Sequence, residues 1–186
     1  MSEPRSAGVA IGLLPPAAAE DVVLVAELCD LVNRVYSVAE EGLWLEGHER
    51  ISAPEMIESI RGGQLAVARF AGRIVGSVRI RQLDRQTGEF GLLVADPGYR
   101  GIGIGRNLVH FSETLARSRG LTVMQLELLA PREWKHPIKE FLNAWYTRLG
   151  YRIVGQGDFA AAAPQAAPSL ATPCDFHLYQ KRLGRD

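Results

Sequence analysis

The chain has 186 residues, and its 21 Lys plus Arg are balanced by 21 Asp plus Glu. That length suits one domain over residues 1–186, able to bury a core and still form a ligand cleft, and the balanced charge excludes the basic field of a non-specific nucleic-acid binder. No stretch is long and apolar enough to span a bilayer, and Pro15 and Pro16 break the short N-terminal apolar run, so the cytoplasm is the expected compartment.

In chain order, residues 8–14 read as a first strand stopped by the two prolines. Val22, Val25, Leu28, Val32 and Val35 recur at helical spacing within 20–39. Residues 40–50, with Gly42, Trp44, Gly47 and His48, read as a loop. Ser52 and Glu55 form a capping box with Pro54 in the first turn, which predicts a helix to about Ile60 ended by Gly62-Gly63. Strands over 65–70 and 74–81, joined at Ala71-Gly72-Arg73, make a hairpin. Residues 89–95 form the next strand. A glycine-rich loop and a helix over about 103–119 follow, the helix closed by Gly120. The apolar run 121–129 is a strand, 138–149 a helix capped by Gly150, and 151–155 and 176–181 are strands. Residues 159–173 are rich in Ala and Pro, which suits either a flexible insertion or an ordered loop lying over a cleft. Hairpins mixed with one strand–helix–strand crossover predict a mixed sheet with helices on both faces.

Function is most legible at Arg100-Gly-Ile-Gly-Ile-Gly105, between a strand and a helix. Alternate glycines let a ligand approach the backbone, and N–H groups at a helix start suit a phosphate or pyrophosphate. Arg100 and Arg106 add positive charge. A Walker loop requires Gly-Lys-Ser/Thr where this chain has Gly105-Arg106-Asn107. A dinucleotide fingerprint requires glycine at 106. The pattern Arg-x-x-Gly-x-Gly is met in full by Arg100, Gly103 and Gly105. A tight turn that only packs helix on sheet is the bland alternative.

With this loop, EFGLLVADPGYRGIGIG (89–105) and LNAWYTRLGYRIVG (142–155) resemble the GNAT (Gcn5-related N-acetyltransferase) superfamily, over most of the chain from about Glu20 to Leu183. The resemblance implies an α/β fold with a mostly antiparallel central sheet of six to seven strands, flanked by about four helices. It also implies a splayed parallel strand pair with the pantetheine arm of acetyl-CoA between its strands. Backbone groups of Leu93 and Ala95 would pair with pantetheine, and Gly101, Ile102, Gly103, Ile104, Gly105 and Arg106, with Arg100, would hold the pyrophosphate. A backbone N–H near Leu93 or Val94 would serve as oxyanion donor. The family's helical asparagine slot is Lys139 here, and Asn143 lies one turn later.

Acyl transfer to an amine needs a neutral nucleophile, oxyanion donors and a proton for the departing thiolate. Tyr146, which the resemblance places beside the sulfur, is the candidate acid, since a phenol keeps its proton at pH 7. Glu89 is the candidate base, directly or through water; strand alternation predicts that it shares a face with Gly91, Leu93 and Ala95. A core aromatic and a solvated strand-end carboxylate are the plain alternatives for the two. On the acceptor side stand Trp44, His48 and Arg50 in the early loop, Trp134, Lys135 and His136 after the apolar strand, and Asp175, with His136 an alternative base. No His/Cys/Asp cluster has metal spacing, and Cys29 and Cys174 read as reduced thiols. The expected function is direct acetyl transfer from acetyl-CoA to an amine, with a small-molecule acceptor favoured by the compact size. Neither nucleic acid nor membrane is expected as a partner, and the oligomeric state is open between a monomer and the homodimer common in the resembled family. A non-catalytic acyl-CoA sensor of the same fold and an ATP- or NAD-dependent enzyme are the rivals.

Overall fold

The computed structural model describes residues 8–184. Seven strands form one sheet in the order β1-β2-β3-β4-β5-β7-β6. They span Ala10–Leu13 (β1), Leu65–Phe70 (β2), Arg73–Gln82 (β3), Thr87–Ala95 (β4), Val123–Pro131 (β5), Arg152–Asp158 (β6) and Cys174–Arg182 (β7). Only β4 and β5 are parallel. Helices span Val22–Ala39 (α1), Ala53–Arg61 (α2), Ile104–Ser118 (α3), Pro137–Arg148 (α4) and the single turn Phe159–Ala162 (α5).

Local chemistry explains most boundaries. Asp21 caps α1 by accepting from the Leu24 N–H at 3.0 Å. The Ser52–Glu55 capping box forms as expected, opening α2. Ala71 and Gly72 both take positive φ, the left-handed pair that a two-residue hairpin turn requires. Two apolar layers sandwich the sheet. On one face α3 and α4 pack over Val78, Ile80, Phe90, Leu126 and Leu128; on the other, α1 and α2 pack over Leu65, Val67, Leu92 and Val94. Within α1 the buried positions are Val25, Leu28, Leu31 and Val32, while Val22 is exposed at the helix start.

Two irregularities shape the site. Parallel pairing of β4 with β5 covers only Thr87–Glu89 against Val123–Gln125, and beyond it the strands part. The second is a β-bulge in β4. Ser77 pairs with Val94 but Arg79 pairs with Gly91, so β4 carries one extra residue, and Leu92 takes φ 49°. The bulge reverses the side-chain alternation. Phe90, Leu93 and Ala95 pack towards α3 and α4, whereas Leu92 and Val94 pack towards α1 and α2. The expected common face for Glu89, Gly91, Leu93 and Ala95 is therefore broken at Leu92: Glu89 and Gly91 face the α1/α2 side, Leu93 and Ala95 the other.

Segment 159–173 packs against the early loop. The Leu45 N–H donates to Ser169 O at 2.8 Å, the Ala171 N–H donates to Leu43 O at 2.9 Å, and Trp44 bridges Leu170 in antiparallel sense.

Candidate active site

Where β4 and β5 part, a cavity of about 610 Å³ runs from the glycine-rich loop to the end of α1. At one end Asp96 accepts from the Gly98 N–H at 2.9 Å and shapes the entry to the loop. Gly101 and Gly103 have φ of 87° and 76°, a left-handed conformation that costs an L-side chain ~1–2 kcal/mol. Gly103 is the N-cap of α3 and supplies no side-chain acceptor. The first intrahelical bond is Asn107 N–H to Gly103 O at 2.9 Å. The N–H groups of Ile104, Gly105 and Arg106 thus lie ahead of that bond, at the positive end of the helix dipole. Close packing fixes the loop's base: a Cβ on Gly76 would come within 2.7 Å of both Ile104 Cγ2 and Val94 O.

The middle of the cavity is lined by Leu93, Ala95, Leu128, Leu142 and Tyr146. Tyr146 is buried, with Phe90, Trp145, Tyr151 and Tyr179 around its ring at centroid distances of 4.9–6.2 Å. Burial, with Tyr36 and Tyr179 adding to it, pushes its phenol well above the usual tyrosine range, so it remains protonated at neutral pH.

At the far end lie Tyr36, Glu40, Arg50, Glu127 and Phe176. Asn33 anchors the early loop here: its side-chain oxygen accepts from the Arg50 and Ile51 N–H groups at 2.8 and 3.0 Å, and its amide donates to Ile51 O at 3.0 Å. Arg50 lies over the Tyr36 ring at 5.0 Å. Glu40 and Lys139 form a buried ion pair at 2.8 Å, and Trp44 Nε1 donates to Glu40 at 2.6 Å. Burial opposes ionisation of Glu40, but Lys139 and Arg50 outweigh it and hold the carboxyl below its ordinary range. Lys139, in the slot of the resembled family's asparagine, is thus committed to tying the start of α4 to the end of α1.

Of the site residues expected from sequence, the cavity brings together Leu93, Ala95, Arg100, Gly101, Gly103, Ile104, Gly105, Arg106, Tyr146 and Arg50. Ile102 is exposed, and the Val94 side chain belongs to the opposite core layer. Glu89 is nearly buried and bound by Arg81, whose Nε donates to it at 3.2 Å and whose Nη2 forms a second bond. Trp44 stacks on His48 at 4.0 Å with its N–H committed to Glu40. Trp134 stacks on His136 at 5.4 Å. His136 is buried as the N-cap of α4, its Nδ1 accepting from the Ile138 N–H at 3.2 Å, so that nitrogen is not free to accept a substrate proton. Asp175 is held below the usual carboxylate range, chiefly by its hydrogen bond from Arg132.

Glu127 was not among the expected residues. It lines the cavity from β5 and forms no ion pair among the described residues. Burial, then the charge of Glu89, pushes its carboxyl up from the ordinary value. The available signal was a lone carboxylate in the apolar run VMQLELLA. Among the described residues no group of three or more His, Cys, Asp or Glu could hold a metal ion, and no helix is long and apolar enough to cross a membrane.

The Acetyltransferase (GNAT) family matches residues 26–151 of the chain. No curated protein matches it in sequence. Among solved structures, the fold is similar to an aminoglycoside 6'-N-acetyltransferase complexed with coenzyme A, at 20% identity and TM-score 0.68, covering 95% of this chain and 98% of that one. It is similar to Ard1 from Thermoplasma volcanium at 14% identity and TM-score 0.64, covering 96% and 99%. An acetyltransferase of the same family from Streptococcus pneumoniae matches at 22% identity and TM-score 0.63, covering 95% and 99%.

Proposed function

Since the chain belongs to the GNAT family of acetyltransferases, we propose that it moves an acetyl group from acetyl-CoA directly to the amine of a small-molecule acceptor. One observation carries this reading. A single cavity joins an uncapped helix start to a protonated tyrosine and an unpaired carboxylate. The helix start and the two loop arginines suit the CoA pyrophosphate, and the gap between β4 and β5 suits the extended pantetheine arm.

Each residue then has a defined task. Glu127, its proton affinity raised, takes a proton from the incoming ammonium, and Glu89 supports it through the field that raises that affinity. A β4 backbone N–H near Leu93 donates to the oxyanion as the amine adds to the thioester carbonyl. Tyr146 supplies the proton that the thiolate takes as the C–S bond breaks, and the second proton, lost from nitrogen as the amide forms, restores the phenol through water. In this scheme Glu127 replaces Glu89 at the amine, because Arg81 occupies the Glu89 carboxylate. Cys29 and Cys174 are free thiols, which suits a reducing cytoplasm.

Thiol release from acetyl-CoA over a panel of amines tests the reading. Tyr146→Phe is expected to lower kcat by about 10²-fold or more. Unchanged turnover with every accepted amine would remove Tyr146 from its role. Calorimetric CoA binding with no thiol release across the panel would favour the sensor reading.

A further inference from the structure

The face of the sheet that looks towards α1 and α2 carries a row of charges that extends beyond the proposed base, Glu127, onto β3. Arg79 on β3 pairs with Gly91 on β4. Arg81 pairs with Glu89 one step back along the same face, and Glu89 pairs with Gln125 on β5. Two residues further along both strands, Gly91 comes level with Glu127, where the strands have begun to part. Arg79 and Glu127 therefore flank a glycine, and a Cβ there would meet nothing within 4 Å, so the space above Gly91 is open. Strands two apart in a sheet lie roughly 10 Å from each other. A cation and an anion reaching inward from that spacing leave a gap of small-molecule size.

The charges at this gap are unequally satisfied. Arg81 and Glu89 satisfy each other, and Glu40 is taken by Lys139 and Trp44, with Arg50 at the looser distance of 3.9 Å. The Arg79 side chain has no hydrogen bond or ion pair among the described residues, and its buried Nε has no acceptor. Glu127 is likewise unpaired. The other groups whose fields reach Arg79 are Arg81, Arg50, Glu89 and Tyr36; burial and the two neighbouring guanidiniums press its pKa down, which marks a cation lacking counter-charge. An uncompensated guanidinium and an uncompensated carboxylate across a glycine floor complement a zwitterion.

We infer that the acceptor is an amino acid-type molecule, whose carboxylate is held by Arg79 with help from Arg50 while its amine faces Glu127 across Gly91. The inference rests on the acetyl-transfer reading above and names its substrate class. A planar guanidinium holding a carboxylate fixes the position of the amine relative to Glu127, so the group that selects the substrate also orients it.

The test supplies acetyl-CoA with the free protein amino acids and with their carboxamides, and follows thiol release by wild type, Arg79→Gln, Arg79→Lys and Arg50→Gln. In parallel, calorimetry measures binding of the same compounds to the CoA-loaded protein. Wild type is expected to favour acids over carboxamides by at least about tenfold in kcat/KM. Arg79→Gln is expected to erase that preference by raising KM for the acids, Arg79→Lys to retain part of it, and Arg50→Gln to weaken it less. Melting temperatures identify any variant that fails to fold, in which case Arg79→Lys carries the comparison. Wild-type turnover of carboxamides as efficient as that of acids overturns the inference and leaves acetyl transfer standing. Carboxylate-dependent binding that disappears in Arg79→Gln, without thiol release from any compound, supports the acceptor site and overturns acetyl transfer. No carboxylate preference in either turnover or binding overturns the inference.

Discussion

The two ends of the cavity are built by different means. The end we assign to the cofactor is made from one contiguous stretch, Asp96 to Arg106, where positive-φ glycines lead into the uncapped backbone N–H groups of a helix start. The end we assign to the acceptor is made of side chains from α1, the early loop, β5 and β7, brought together only by the fold. A backbone site depends on local conformation and tolerates change in the surrounding side chains. A side-chain site depends on long-range packing and on which charges remain unpaired. The first kind suits a ligand shared by many proteins, and the second suits one that differs between them.

Lys139→Ala should cut deepest at the acceptor end, because it strands the buried Glu40 carboxylate without its partner. A loss of about 3–5 kcal/mol is expected in chemical denaturation. The pH dependence follows from the lowered carboxyl of Glu40. Its stabilisation is complete above the unfolded value near 4.5 and is lost as pH falls through the lower folded value. Wild type should weaken in that acid range, and Lys139→Ala should show a flatter acid limb. Gly103→Ala addresses the cofactor end. Forcing a side chain into φ 76° costs about 1–2 kcal/mol. Calorimetry should show CoA binding weakened roughly tenfold; unchanged affinity would mean that the loop's conformation is not what binds. Arg81→Gln joins the halves. Arg81 lowers the Glu127 carboxyl and covers Glu89, so its removal should move the acid limb of kcat/KM to higher pH, by up to about one unit. Ser52→Ala should cost only about 1 kcal/mol of stability through the capping box and leave CoA affinity alone.

The same contrast governs what could be read from the sequence. Caps, glycine turns and the crossover order carry local signatures, which is why β2 and the capping box of α2 fall where expected and the other elements shift by only a few residues. The Arg100–Gly105 pattern was legible for the same reason. The Leu92 bulge was not: nothing in GLLVA marks which residue takes positive φ, and one extra residue reverses the alternation on which the Glu89 assignment rested. Nor could spacing reveal that Lys139 meets Glu40 across 99 residues, or that His136 is consumed as a helix cap. The Trp44–His48 stack and the bridge to Leu170 likewise needed the docking of 159–173 on the early loop.

The short parallel contact between β4 and β5 has a consequence for hydrogen exchange. Past Glu89 and Gln125, amides of β4 that point towards β5 lack the ladder partners of a central strand. In the free protein they should exchange with solvent deuterium at rates typical of a sheet edge, although they lie in the middle of seven strands. Pantetheine between the strands would slow them, so the amide protons of Leu93 and Ala95 offer a residue-level record of occupancy that needs no turnover.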